Sequence, residues 1–275
     1  MAHADDPVLH YDMINRAWQY LLGEDFHYGY FQAEDESLKS ATENLTSLMA
    51  EKGAFGLDQS VLDVGCGIGN PVCQLAARYG CRVTGISTSG EGVELAVRRA
   101  RDKGLSDRVS FRVADGMDNN LPDASFDRVW VMESSHLMPR KDRLLGECAR
   151  VMRPGARLVL CDIMLRRELP LAEVLSRPRD FVPLHYAFGH AKMETMDTYA
   201  RLAERAGLRV NDLIDISDRA YPTIAQWRRK LEANEAQVRA QIGDQGVAHF
   251  RASCDVLAKV WNERLFGYGL MVACK

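Results

Sequence analysis

The run Asp63-Val64-Gly65-Cys66-Gly67-Ile68-Gly69-Asn70 stands directly after a short apolar strand pattern and directly before a helical one. Glycines at alternate places let the backbone turn tightly and approach a ligand with no Cβ in the way. Free N–H groups at the start of the following helix favour an anionic group. A carboxylate at the strand end repels a pyrophosphate, but it suits a ligand that carries a cationic amine. Glycines that merely make a tight turn, with Asp63 as a cap, are the plain alternative. A dinucleotide site would need G-x-G-x-x-G and an acid on the ribose roughly 20 residues later. Here the third glycine falls one place early, and Gly85-Ile86-Ser87-Thr88-Ser89 holds no acid. Nicotinamide binding is disfavoured.

Strand and helix patterns alternate from residue 59 onward. The strands predicted are Ser60 to Val64, Cys81 to Ile86, Val109 to Val113, Phe126 to Met132 and Arg157 to Ile163. Pro154-Gly155 reads as the turn before the last of them. Asn70 is predicted as the cap of the first helix with Pro71 at its first position, and Gly80 as its stop. Strand–helix–strand repetition at this spacing implies right-handed crossovers and a parallel sheet covered on both faces. A helix at 195–206, a strand at 208–215 and a last apolar strand at 266–273 complete the pattern, the last expected antiparallel at the sheet edge. The fold class expected is therefore α/β, a doubly wound, Rossmann-like, seven-stranded and mostly parallel sheet. Residues 1–58 form an N-terminal helical cap in this reading. Residues 59–275 form one domain with helical lid insertions at 164–194 and 222–264.

Composition narrows the function classes. The 275 residues are 47% hydrophobic, enough for a sizeable core, and 35 Lys+Arg against 38 Asp+Glu give a net charge of -3. That balance gives nucleic acid and anionic membrane little to bind. No apolar stretch is long enough to span a bilayer. Residues 1–7 show no secretory pattern, and the seven cysteines are scattered without a CxxC pair. A reduced, cytoplasmic protein without disulfides or structural zinc is expected.

The chain resembles the class I S-adenosylmethionine-dependent methyltransferases, strongly over residues 60–163 and more loosely elsewhere. The segments that carry the likeness are VLDVGCGIGNP, VTGIS, VADGMDNNLPDASFD and VMRPGARLVL. Within the class it is most similar to small-molecule enzymes. These are sugar O-methyltransferases of the rebeccamycin type, tocopherol and ubiquinone C-methyltransferases, and prenyl C-methyltransferase/cyclases of the teleocidin type. The resemblance implies S-adenosylmethionine as cofactor and S-adenosylhomocysteine as product. It implies that Asp63, Gly65 and Gly67 border the methionine part, and that Ser87 and Thr88 sit where the ribose is read. Asp115, with Gly116 and Met117, is implied at the adenine. Glu133 opens onto the methyl and acceptor site, while Tyr20 and Tyr28 close over the sulfonium, a cation that aromatic faces suit.

A sulfonium is already an activated electrophile, so the protein contributes mainly alignment. An oxygen acceptor also needs a base, typically a histidine oriented by a carboxylate. In the O-methyltransferases that base is suspected just before the methionine of Glu133-Ser134-Ser135-His136-Leu137-Met138, where this chain has Leu137. His136, one residue earlier, is either a base or a histidine that satisfies backbone groups at the turn. Asp162 would orient a base or cap the next turn. Carbon methylation of a prenyl-chain alkene, with cyclisation of the resulting cation, needs no strong base. The aromatic insertion at 181–190, including His185 and His190, and Tyr199 in the next helix would then line the acceptor pocket; ordinary core beneath a lid is the plain reading of the same residues. His185 and His190 lack a third ligand, so no metal is expected. The catalytic candidates are Glu133, His136, His185 and Tyr199. The run Arg98-Arg99-Ala100-Arg101-Asp102-Lys103 reads as a solvated helix end.

The expected activity is methyl transfer from S-adenosylmethionine to a hydrophobic natural product, at a prenyl-chain carbon. O-methylation with a histidine base and a non-methylating S-adenosylmethionine-binding protein are the alternatives. The partner expected is a small molecule, in a homo-oligomer that exchanges N-terminal helices.

Overall fold

The computed structural model describes residues 27–275, and of 186–188 the backbone alone. Residues 1–26 of the expected N-terminal helical cap, and Tyr20 with them, lie outside the described residues. The described chain divides into two compact units. One comprises residues 46–162, 196–215 and 269–275, and the other 27–45, 163–195 and 216–268.

The first unit is built on strands that are nearly continuous apolar runs, as strands buried on both faces must be. β1 (Ser60–Val64), β2 (Arg82–Ser87), β3 (Val109–Val113), β4 (Phe126–Met132) and β5 (Met152–Leu165) run parallel. Leu62, Val129, Val131, Leu158 and Leu160 are fully buried among them. Side-chain burial of this kind is worth about 1.5–3 kcal/mol apiece. The crossovers are α2 (Asn70–Tyr79), α3 (Gly90–Asp102) and α4 (Lys141–Val151); α1 (Leu38–Gly53) precedes β1. The full order of the seven-stranded sheet is β3-β2-β1-β4-β5-β7-β6, so the winding reverses between β1 and β4. The sheet is mixed but mostly parallel, the expected Rossmann-like arrangement.

Three local expectations are corrected. The cap of α2 is Gly69, in the left-handed region at φ 77°, and Asn70 is the first helical residue. The glycine has already turned the chain, so Asn70 does not have to. Pro154-Gly155 is not a turn between elements but part of β5. Met152 pairs with Phe126, the register shifts before Arg128 and Arg157, and Gly155, at φ 81°, donates to the Lys275 carbonyl. A proline and a left-handed glycine are accommodated there as an irregularity within the strand. The last strand, β7 (Phe266–Cys274), pairs antiparallel with β6 (Arg209–Asp215) as expected, but it lies inside the sheet, between β5 and β6. Residues 266–273 are all buried, whereas β6 carries Arg209, Asp212 and Asp215 outward. An apolar strand takes neighbours on both sides, and a charged one tolerates the edge.

The second unit is helical. The insertion at 164–194 forms α5 (Leu171–Ser176) and α6 (Pro178–Phe188). Residues 217–262 form α8 (Ser217–Ala220), α9 (Pro222–Ala233) and α10 (Glu235–Asn262), which breaks at Gly243. α7 (Met196–Arg205) belongs to the first unit. Asp180 accepts from Arg177 and from Lys259, tying α6 to α10. Among the described residues no helix is long and apolar enough to cross a membrane.

Candidate functional site

The carboxyl ends of β1 to β4 converge where the sheet order reverses, the place where open α/β sheets bind ligands. The turn after β1 is fixed by its own backbone. Gly65 and Cys66 both donate to the Ile86 carbonyl of β2, and Gly69 donates to the Cys66 carbonyl. Gly65, Gly67 and Gly69 all have positive φ. A Cβ on Gly69 would collide with Ala96 and Phe111, so this glycine lets α3 and β3 close on the turn. Gly67 differs: a Cβ there would meet nothing within 4 Å. The turn thus presents bare backbone to open space at its middle, as a ligand cradle requires.

Asp63, at the end of β1, is 3% exposed. Burial with no compensating charge pushes its carboxyl up to about 8. A cationic partner would offset that cost. The end of α3 is solvated as read from sequence, with Arg98, Arg101, Asp102 and Lys103 exposed. Arg99, however, is half-buried and its Nη1 donates to the Ile68 carbonyl at 3.1 Å, while Lys103 Nζ donates to Asn70 Oδ1 at 3.4 Å. The helix places its last turn beside the loop, a proximity that the charge pattern alone does not carry.

Ser87 ends β2, and its hydroxyl accepts the Ser89 N–H at 3.2 Å, while Thr88 is exposed. Ser89 caps α3 by accepting from Gly92. Asp115 is exposed and its Oδ1 accepts the Met117 N–H at 2.9 Å, which folds 115–118 into a tight turn. Gly116 fits against Val64 and Met138, so a Cβ there would clash with both. Glu133 follows β4 with φ 46°, a strained conformation for a residue with a side chain. Strain of this kind, about 1–3 kcal/mol, persists where surrounding structure over-determines it. The next residue provides part of that restraint, because Ser134 Oγ donates to the Val64 carbonyl at 2.6 Å.

Residues 135–137 form a single 3₁₀ turn. It carries His136 onto Asp162 of β5: the imidazole Nδ1 lies 2.8 Å from Oδ1, and the His136 backbone N–H donates to Oδ2 at 3.0 Å. Ser135 Oγ donates to the same Oδ2 at 2.5 Å, and the Tyr199 hydroxyl lies 2.7 Å from Ser135 Oγ. Asp162, Ser135 and Tyr199 are all 0% exposed, and His136 is 9% exposed. Burial works to raise the Asp162 carboxyl. The charge of His136 and the hydrogen bonds from His136 and Ser135 outweigh burial and hold it below the usual carboxylate value. Among the described residues His136 Nε2 has no hydrogen-bond partner.

The sequence reading thus has Asp63, Gly65, Gly67, Ser87, Asp115, Gly116, Met117, Glu133 and His136 at or just beyond the carboxyl ends of neighbouring strands. Tyr28 and His185 belong to the other unit. The Tyr28 ring packs against Trp227 (4.6 Å between centroids), Tyr268 (5.1 Å) and Trp261 (5.6 Å), and the His185 ring stands 4.2 Å from that of His190. Ser135, which contacts Asp162 and Tyr199, is not among the residues that the sequence singles out. The adjacency of Ser135 to His136 was the one available signal.

The profile of the family described as mycolic acid cyclopropane synthetase matches residues 2–264. The methyltransferase GfsG of Streptomyces halstedii is 35% identical over 272 residues, 97% of this chain and 92% of that one. The 27-O-demethylrifamycin SV methyltransferase of Amycolatopsis mediterranei is 33% identical over 264 residues, 96% of this chain and 93% of that one. Among solved structures, the [4+2]-cyclase SpnF superposes with a TM-score of 0.83 at 27% identity, over 98% of this chain and 95% of that one.

Proposed function

The chain belongs to the mycolic acid cyclopropane synthetase family and is a methyltransferase that uses S-adenosylmethionine; we propose that it methylates a hydroxyl oxygen of a hydrophobic natural product, with His136 as the base. The observation that carries this reading is the 2.8 Å hydrogen bond between His136 Nδ1 and the buried Asp162. In its neutral form an imidazole held that way keeps its proton on Nδ1 and turns the lone pair of Nε2 outward, as a general base requires.

Bound S-adenosylmethionine supplies a methyl group activated by its sulfonium. The chain's own residues do the rest. Asp63 pairs with the amino group, the glycine turn admits the methionine backbone, and Asp115 and Met117 take the adenine while Ser87 and Thr88 read the ribose. Glu133 borders the methyl. His136 Nε2 removes the acceptor's hydroxyl proton as the oxygen attacks. Asp162 keeps the ring oriented and offsets the positive charge it gains. That the relative from Amycolatopsis is named for an O-demethyl acceptor supports oxygen as the nucleophile.

The second reading is carbon methylation of a prenyl-chain alkene followed by ring closure. Its support is Leu137 in the place where a histidine would precede methionine, and the 27% identity to a cyclase. Incubation with S-adenosylmethionine carrying a 13C-methyl group tests the two, using 27-O-demethylrifamycin SV as oxygen acceptor and geranyl diphosphate as carbon acceptor. A methoxyl resonance that disappears in His136→Ala supports the first reading. A new carbon-bound methyl that survives His136→Ala replaces it with the second.

A further inference from the structure

Two hydroxyl groups behind the His136–Asp162 pair are left without a task by the reaction above. Ser135 and Tyr199 are both fully buried, so they do not contact solvent, and a buried hydroxyl in a core position is costly unless it is hydrogen-bonded. Their proton directions follow from a count. Ser135 has one O–H, and it points to Asp162 Oδ2. The contact between Tyr199 and Ser135 at 2.7 Å must then be donated by the Tyr199 phenol. The chain Tyr199 O–H to Ser135 Oγ, Ser135 O–H to Asp162 Oδ2, and His136 Nδ1–H to Asp162 Oδ1 is therefore directional.

The carboxylate needs such a restraint. Its two oxygens are equivalent until something distinguishes them, and rotation about Cβ–Cγ would carry Oδ1 out of the plane of the imidazole. Oδ2 accepts from the His136 backbone N–H at 3.0 Å and from the Ser135 hydroxyl at 2.5 Å. The first moves with the 3₁₀ turn; the second is anchored through Tyr199 to α7, a different element. Donors that polarise one another in a dry interior strengthen each bond in the series.

We infer that Ser135, backed by Tyr199, is a positioning residue that fixes the Asp162 carboxylate and through it the Nδ1–H tautomer of His136. The inference rests on the reading of His136 as the base.

Nitrogen-15 histidine spectra of the full chain, saturated with S-adenosylhomocysteine and needing no acceptor, test it. His136→Gln identifies the His136 resonances by their loss. In the unsubstituted protein the Nδ1–H proton is expected to be slow to exchange, with Nε2 unprotonated. Ser135→Ala is expected to bring loss of the Nδ1–H resonance to solvent exchange, with affinity for S-adenosylhomocysteine kept within about twofold, the scatter expected when an independent site is left intact. Tyr199→Phe keeps the ring volume and serves if Ser135→Ala does not fold; an accelerated Nδ1–H exchange is expected. Nδ1–H protection that persists unchanged in Ser135→Ala, or in Tyr199→Phe where that variant must decide, overturns the role of Ser135 and leaves His136 as base intact. An Nε2–H tautomer in the unsubstituted protein overturns both.

Discussion

Gly65 and Ser134 stand so close that a Cβ at position 65 would lie 2.1 Å from the Ser134 Cβ and 2.5 Å from its Oγ. Ser134 cannot retreat, because its hydroxyl is donated to the Val64 carbonyl of the adjoining strand. Gly65 also sits at φ 88°. Gly65→Ala therefore meets both a steric and a conformational obstacle. The expected loss is about 2 kcal/mol of stability, the scale of an overpacked core, together with loss of detectable S-adenosylhomocysteine binding. Thermal melting with and without that ligand measures both.

Gly67 offers the contrasting case, since a methyl there meets no protein atom. Its φ of 52° is one an alanine adopts at moderate cost. Gly67→Ala is expected to lower the melting temperature by only a few degrees, about 1 kcal/mol, yet weaken S-adenosylhomocysteine at least tenfold in calorimetry. Weak binding with near-native stability separates a ligand cradle from a merely structural turn.

Asp63 is expected to make cofactor binding pH-dependent. In the free protein its carboxyl titrates at about 8, so at pH 7 it holds its proton. Pairing with an ammonium group requires that proton to leave. Affinity should then fall as pH drops below about 8, by up to about tenfold per unit. Above that pH the ligand's own α-amino group begins to deprotonate, near 8, which places the optimum there. Calorimetry at pH 7 in buffers of different ionisation enthalpy should show proton release on binding. Asp63→Asn should abolish the release and weaken binding. The same substitution should raise the melting temperature of the free protein. A carboxyl whose folded value is raised loses stability as pH climbs from the unfolded value toward 8, and asparagine has no such loss.

The buried pair at His136 and Asp162 predicts a separation of turnover from cofactor affinity. His136→Ala is expected to reduce turnover by about 10²–10⁴, the range of a general base, while S-adenosylhomocysteine still binds. Asp162→Asn should follow it in direction. Equal losses in affinity and turnover would move these residues from chemistry to structure.

Leu270, fully buried in β7, predicts the weight of the last strand. Leu270→Ala should cost about 2–5 kcal/mol, read as a lowered midpoint in urea with the slope unchanged.

Much of this organisation was readable from residue patterns. β1, β3 and β4 have the boundaries expected, because each is an apolar run bounded by turn residues. The expectations failed where a neighbour distant in sequence decides the outcome. Pro154-Gly155 has the composition of a turn, but the strand end at Lys275 is available to pair with Gly155, and the chain stays extended. Among the charged residues of a run that is otherwise solvated as expected, Arg99 alone is half-buried, because α3 brings it to the Ile68 carbonyl. The one-residue displacement of His136 left its direction open in the sequence. The 3₁₀ turn and a carboxylate 26 positions away set the direction of the ring. Side-chain direction at such a turn depends on what lies across the sheet, which period and spacing do not encode.

The place of β7 between β5 and β6 bears on how the polypeptide matures. β6 is synthesised about 50 residues before the strand it pairs with, and at ribosomal rates of about 5–20 residues per second it waits several seconds for it. During that interval the charges on β6 guard an edge that has no neighbour, and the apolar flank of β5 has no such guard. A nascent chain halted before residue 266 is thus the species most exposed to chaperones and to aggregation, and only the arrival of Phe266–Cys274 closes the gap.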